Sequence, residues 1–220
     1  MALSGPRLDP PGKADSLVVL CHGYGADGND LIALAEAWRK VLPETAFVAP
    51  HAPERCPGAG YQWFPITRLE PLQMRQGVER AAPVLEAFLA AELAARDLAP
   101  ERLALVGFSQ GAMLALHVGL RLKPAAIVGL SGLLATPVPQ GPHPTPVLLG
   151  HGDRDTMIPP EALFASAVTL GLSGVAVEWH LRPGLPHGID ETEIAIAGRF
   201  IASAFAGRLS MRGEVSCPVR

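Results

Sequence analysis

The sequence predicts an α/β protein with a mostly parallel central sheet and helices on both faces. Short runs that are apolar almost throughout read as strands buried on both sides, not as the alternating strands of a half-exposed sheet. Stretches with apolar residues at helical spacing separate these runs, which is the pattern of crossover units joining parallel strands. At one junction, Gly107-Phe108-Ser109-Gln110-Gly111, an apolar run on one side meets a helical pattern on the other with room only for a tight turn.

The first strand is Ser16-Leu17-Val18-Val19-Leu20-Cys21, and it runs into His22-Gly23-Tyr24-Gly25-Ala26-Asp27-Gly28, whose three glycines allow close approach to a ligand. A helix follows with Leu31, Leu34, Ala35 and Trp38 on one face and Pro43 beyond its end, and residues 45–49 form the second strand. From residue 50 to 71 periodicity disappears and five prolines punctuate an ordered surface loop. It carries Tyr61, Trp63 and Phe64, rings that either pin the loop to the core or line a pocket. A long amphipathic helix comes next, with Val78, Ala82, Leu85, Phe88, Leu89 and Leu93 at spacings of three and four; Pro83 would delay its start or kink it.

The third strand is 102–106, followed by the tight turn and a helix from Ala112. The fourth strand, 125–130, ends at Ser131-Gly132, and a loop over 135–146 with five prolines leads to a fifth strand, 147–150, opening into His151-Gly152-Asp153-Arg154-Asp155. A helix over 160–170, a sixth strand over 175–181, a loop over 182–190 and a last helix to about residue 206 complete the pattern. A single domain over 1–220 accounts for it, with 1–15 and 208–220 as flexible tails. The fourth and fifth strands are only about fifteen residues apart, too few for a helical cap domain.

With 49% hydrophobic and 18% charged residues the 220-residue chain can bury a substantial core. Its 18 basic and 21 acidic side chains give a formal charge of -3 and no basic face, which argues against a nucleic-acid partner. Cys21, Cys56 and Cys217 leave one thiol unpaired in any scheme and fit no zinc spacing, and a reducing compartment is the simpler setting. The first sixteen residues lack the apolar core of a secretory signal, and the longest nearly apolar run, 125–135, falls short of the ~20 residues that span a bilayer. A cytoplasmic protein without a membrane span is expected.

In an open parallel sheet the ligand site lies at the carboxyl ends of the strands. Inspecting those positions collects Gly23-Tyr24, Ser109, Asp153, Asp155 and His187. A G-x-S-x-G sequence between strand and helix forms a nucleophile elbow with the hydroxyl projecting, and Ser, Asp, His is the chain order of α/β-hydrolases. A serine hydroxyl needs a base within hydrogen-bond reach, imidazole titrates in the right range, and a carboxylate fixes its tautomer. Of seven histidines, His117 and His180 fall inside a helix and a strand, His51 and His143 in proline-rich loops, and His22 and His151 in His-Gly pairs that shape loops. His187 remains. Asp153 and Asp155 both follow the fifth strand, and spacing does not separate them. The backbone N–H groups of Gln110 and Tyr24 are the candidates for an oxyanion hole.

The set His22-Gly23-Tyr24-Gly25 with Asp27-Gly28-Asn29-Asp30, then Gly107-Phe108-Ser109-Gln110-Gly111, then His151-Gly152-Asp153-Arg154-Asp155 with Ile158-Pro159, then His187-Gly188, resembles the phospholipase/carboxylesterase family that includes the acyl-protein thioesterases. The resemblance runs from Leu17 to Ala206 and implies the α/β-hydrolase fold. It implies Asp155, the aspartate of a His-Gly-x-x-Asp box, as the acid, and it matches Gln62-Trp63-Phe64 to the tryptophan-containing loop of bacterial members. Many relatives have an acidic residue after the aromatic pair where this chain has Pro65-Ile66. The expectation is a serine hydrolase that cleaves carboxylic esters, thioesters or lysophospholipids through an acyl-enzyme on Ser109, needing no cofactor and no metal. Tyr24, Trp63, Phe64, Met157 and Ile158 are the candidate acyl-pocket residues, each with packing as its alternative role. The rival expectation is a ligand-binding protein on the same fold without turnover.

Overall fold

The structure is a computed structural model describing residues 3–67 and 70–209. Its strands are β1 (Arg7–Leu8), β2 (Ser16–Cys21), β3 (Thr45–Val48), β4 (Glu54–Arg55), β5 (Tyr61–Gln62), β6 (Leu103–Phe108), β7 (Ala126–Leu130), β8 (Val147–Gly152) and β9 (Val177–Arg182). The helices are α1 (Gly28–Trp38), α2 (Pro71–Arg96), α3 (Gln110–Leu122), α4 (Glu161–Leu172) and α5 (Glu191–Phe205). Seven strands form one sheet in the order β1-β3-β2-β6-β7-β8-β9, parallel except where β1 meets β3.

Period-two alternation within the buried strands sends neighbouring residues to opposite faces. Leu17, Val19, Cys21 and Leu105 pack with side chains of α2 and α3, while Val18, Leu20, Ala104 and Val106 pack with those of α1 and α5. Ile127, Val147 and Leu149 extend the first face under α4. Both faces are covered, which is why these strands carry no polar side. Register brings Cys21 opposite Gly107 and Gly152 opposite Arg182, so the loops after β2, β6, β8 and β9 leave the sheet from the same end. Residues 131–146, between β7 and β8, contain no helix or strand, in keeping with the absence of a cap.

Two expectations are corrected. The expected flexible tail over 1–15 is corrected for its described part, residues 3–15: Arg7 pairs with Val48 and Leu8 with Phe47, and the Arg7 guanidinium makes a two-pronged ion pair with Glu92 of α2, at 2.5 and 2.6 Å. A two-residue strand is too short to leave a period in the sequence. At the other end the Arg208 N–H still donates to the Ser203 carbonyl, while residues 210–220, with Cys217, lie outside the described residues. Pro83 does not delay the start of α2, which begins at Pro71 and is continuous through it; Pro83 and Glu79, whose carbonyl loses its partner, are both exposed, so water can satisfy the freed group.

Candidate active site

Ser109 joins β6 to α3 in a backbone conformation, φ 54° and ψ -116°, that an L-residue adopts only when its surroundings enforce it. The flanking glycines explain how. A Cβ at Gly107 would overlap the Gly111 carbonyl, and one at Gly111 would overlap the Cys21 carbonyl of β2. The turn is therefore as tight as the pentapeptide predicts, with Ser109 at its apex. A Cβ built on Gly23 would come within 3.3 Å of the Ser109 Cβ, so the loop after β2 runs directly beside the serine. Among the described residues, neither the Tyr24 N–H nor the Gln110 N–H donates to an acceptor. Two donors are thus unused in the segments that flank the serine, one of them at the positive end of α3.

The loop after β8 supplies a carboxylate. Asp155 Oδ1 accepts the N–H groups of Met157 and Ile158 at 2.8 and 2.9 Å, and Oδ2 accepts His187 Nδ1–H at 2.7 Å. Its side chain is fully buried. Burial alone would raise its pKa, but the hydrogen bond from His187 and those from the two backbone N–H groups outweigh it and hold the carboxyl below its ordinary range. Asp153, its neighbour on the same loop, is exposed and accepts the Gly184 N–H at 2.6 Å.

His187 reaches the site on the loop after β9. That loop is tied to its neighbours: the Arg154 N–H donates to the Leu185 carbonyl at 3.0 Å, and Ser131 Oγ donates to the Gly188 carbonyl at 3.1 Å. The Phe108 ring lies 4.9 Å from the imidazole, centre to centre. His187 Nε2 stands 3.0 Å from Ser109 Oγ. With Nδ1–H committed to Asp155, the Nε2 lone pair faces the hydroxyl, the tautomer that can take its proton. The imidazole is 20% exposed, open enough for a substrate to approach.

The structure brings Ser109, Asp155 and His187 together and leaves Asp153 outside the cluster. It divides the candidate pocket residues. Tyr24 and Met157 are 43% and 60% exposed, whereas Trp63, Phe64 and Ile158 have at most 3% of their surface accessible and belong to the core. For these three the lining role is corrected to packing: Phe64 lies against Gly77 of α2, and the Trp63 indole N–H donates to the His22 carbonyl at 2.9 Å. An aromatic loop at a strand end has the same composition whether it covers the core or a ligand.

Three further residues make contacts whose partners the sequence did not indicate, although the His-Gly pairs at His22 and His151 marked them as loop-shaping. Gln110, fully buried, uses its side-chain amide twice, accepting the Trp63 N–H at 2.8 Å and donating to the Phe64 carbonyl at 2.7 Å. His22 accepts the Ala52 N–H at 2.9 Å. His151 shapes its loop through the Ile158 carbonyl at 2.9 Å, and the same Nε2 is 3.2 Å from Asp155 Oδ2. Among the described residues no three His, Cys, Asp or Glu side chains are grouped so as to hold a metal ion, and no helix is long and apolar enough to cross a membrane.

A family model described as Phospholipase/Carboxylesterase matches residues 8–205. The chain is 31% identical over 209 residues to acyl-protein thioesterase 1 of Gibberella zeae, an alignment covering 80% of this chain and 87% of that one. Among solved structures, esterase PE8 superposes with a TM-score of 0.86 at 43% identity over 93% of this chain and 100% of that one. A phospholipase/carboxylesterase from Dyadobacter fermentans gives 0.72 at 27% identity, over 91% and 98%.

Proposed function

The chain belongs to the phospholipase/carboxylesterase family and is a carboxylesterase-type hydrolase on the α/β-hydrolase fold, and we propose that it works through an acyl-enzyme on Ser109 with His187 as base and Asp155 as the acid that orients it. One observation carries this reading: the continuous chain from the Asp155 carboxylate through both nitrogens of His187 to the Ser109 hydroxyl, at 2.7 and 3.0 Å.

As Ser109 Oγ attacks the ester carbonyl carbon, its proton passes to His187 Nε2, and the carbonyl electron pair becomes an oxyanion. The free N–H groups of Tyr24 and Gln110 are the donors we assign to that oxyanion; a single such donor is worth about 10²–10³ in kcat. Asp155, held below its ordinary pKa by its three hydrogen bonds, stabilises the imidazolium. The imidazolium then protonates the leaving oxygen or sulfur, and water, activated by the same nitrogen, releases the acid. The scheme calls on no cofactor or metal ion.

Small-molecule esters are the substrate class. The thioesterase names of relatives extend the proposal to thioesters, and the exposed Tyr24 and Met157 are the side chains we assign to the entrance of the acyl site. A single domain over 1–220, a cytoplasmic setting and no nucleic-acid partner complete the reading; the charge of -3 and the buried, unpaired Cys21 and Cys56 support it. Hydrolysis of p-nitrophenyl acetate by the wild type, lost in His187→Ala, tests it. A wild type without turnover would leave a ligand-binding protein on a hydrolase fold.

A further inference from the structure

The two N–H groups assigned to the oxyanion come from different strand ends, Tyr24 after β2 and Gln110 after β6. The β2–β6 ladder stops at the pair Cys21 and Gly107, so sheet hydrogen bonding does not hold the Tyr24 loop against the elbow. Donors aimed at one oxygen tolerate little displacement, since the hydrogen bond weakens steeply with distance and angle. Another element has to set their separation.

The segment from Tyr61 to Phe64 lies across both. On the elbow side, the Gln110 side chain pairs with it as a backbone strand would, one accepted and one donated bond, at the Trp63 N–H and the Phe64 carbonyl. On the other side Tyr24 is held at both flanks. Before it, the Trp63 indole N–H donates to the His22 carbonyl at 2.9 Å; after it, the Gly25 N–H donates to the Tyr61 carbonyl at 2.9 Å, and the Tyr61 N–H returns a bond to Ala26 at 2.8 Å. The His22 ring completes the brace, with Nδ1–H donating to the Gly23 carbonyl at 2.7 Å and Nε2 accepting from Ala52. That arrangement requires a neutral imidazole, and burial, which lowers the pKa of His22, favours it. Gln110, Trp63 and His22 are all buried, so each polar group that lost its partner would remain unpaired.

We infer that Gln110, Trp63 and His22 are positioning residues that fix the two oxyanion donors at a set distance, with the Tyr61 to Phe64 segment as the brace between them. The inference rests on the serine-hydrolase reading above. It gives the aromatic loop a role in the reaction without contact to substrate: Trp63 acts through the His22 carbonyl, and the Gln110 side chain acts through the segment that its own backbone N–H must be aligned with.

The test uses an alkyl trifluoromethyl ketone. Ser109 Oγ adds to its carbonyl carbon, the hydroxyl proton goes to His187, and the carbonyl electron pair becomes an oxyanion that needs the two donors. The matching trifluoromethyl alcohol fills the same acyl site without one. In Trp63→Phe, which removes the indole N–H and keeps an aromatic ring, the expectation is about tenfold weaker ketone affinity with alcohol affinity unchanged, and a fall in kcat with KM held. Gln110→Met should behave the same way. A purely structural network would lower the melting temperature and leave the ketone-to-alcohol ratio alone, and that outcome overturns the inference. The wild type supplies a readout free of folding effects: the Trp63 indole N–H resonance should shift when the ketone adduct forms. An adduct with an unmoved indole signal refutes the brace alone. No adduct on the wild type refutes the serine reading, and the brace with it.

Discussion

His187 Nε2 lies 3.0 Å from the Ser109 hydroxyl although 78 residues separate the two. The sheet makes this possible. β6 ends at the elbow, β9 lies three places along in the same sheet, and both strands deliver their loops to the same end. Contact between them depends on the loops after β7 and β8 staying clear, which they do by binding the His187 loop through Ser131 and Arg154.

The two aspartates after β8 should differ sharply. Asp155→Asn removes the charge that orients and stabilises the imidazole, and kcat should fall by roughly 10⁴. Asp153→Asn disturbs an exposed hydrogen bond to Gly184 and should cost less than about tenfold. Matched kinetics on both variants check the ranking, and the reverse order would transfer the role to Asp153.

Stability should depend on pH through Glu193. This residue stands in the first turn of α5, buried, with Oε1 lacking a hydrogen-bond partner among the described residues. Burial pushes its carboxyl up from 4.5 to about 7. The folded state therefore holds a proton that the unfolded chain releases near its ordinary value, and the stability this contributes is complete below about pH 4.5 and lost as the pH rises through about 7. Glu193→Gln keeps the capping reach to the Asp190 N–H and has no proton to lose. Denaturant midpoints at pH 5 and pH 8 should show the variant losing less stability on going to pH 8, by up to about 3 kcal/mol. Equal losses in the two proteins would assign the slope to other groups.

Activity should not jump at a lipid-water interface. The segment best placed to act as a lid, 50–67, carries the β4–β5 hairpin and is pinned by Gln110 and by the pairing of Tyr61 with the Tyr24 loop. With Trp63 and Phe64 in the core, the acyl site offers limited apolar wall, and each methylene gains only about 0.8 kcal/mol while it remains buried. Rates on p-nitrophenyl esters of increasing chain length should peak at short to moderate acyl groups. A rate jump at the micellar transition, or a best substrate among the longest chains, would show that the segment moves.

The elbow was legible because it rests on backbone crowding: only glycine fits where Gly107 and Gly111 stand, and that requirement is written in residue identity. The buried strands were legible for a similar reason, since strands covered on both faces have no polar side. Asp155 could not be told from Asp153 by spacing; what separates them is the turn in which the Met157 and Ile158 N–H groups catch one carboxylate and Gly184 catches the other. It took the family resemblance to name Asp155. The β1 strand was invisible because two residues have no period, and what anchors it is an ion pair to Glu92, far along the chain. For Trp63 and Phe64 the sequence left core packing and pocket lining both open, because aromatic composition does not reveal which side of a loop faces solvent. The side-chain bonds of Gln110 to Trp63 and Phe64 were hidden because the motif that marks this residue concerns its backbone N–H and not its side chain.

The most direct measurement is fluorophosphonate labelling followed by peptide mass mapping. The wild type should gain one adduct, on the peptide containing Ser109. Ser109→Ala, folded by circular dichroism, should gain none and should lose ester hydrolysis by a factor on the order of a million in kcat. An adduct on another residue, or a Ser109→Ala protein that still turns over ester at a substantial rate, would contradict the assignment of Ser109 as nucleophile.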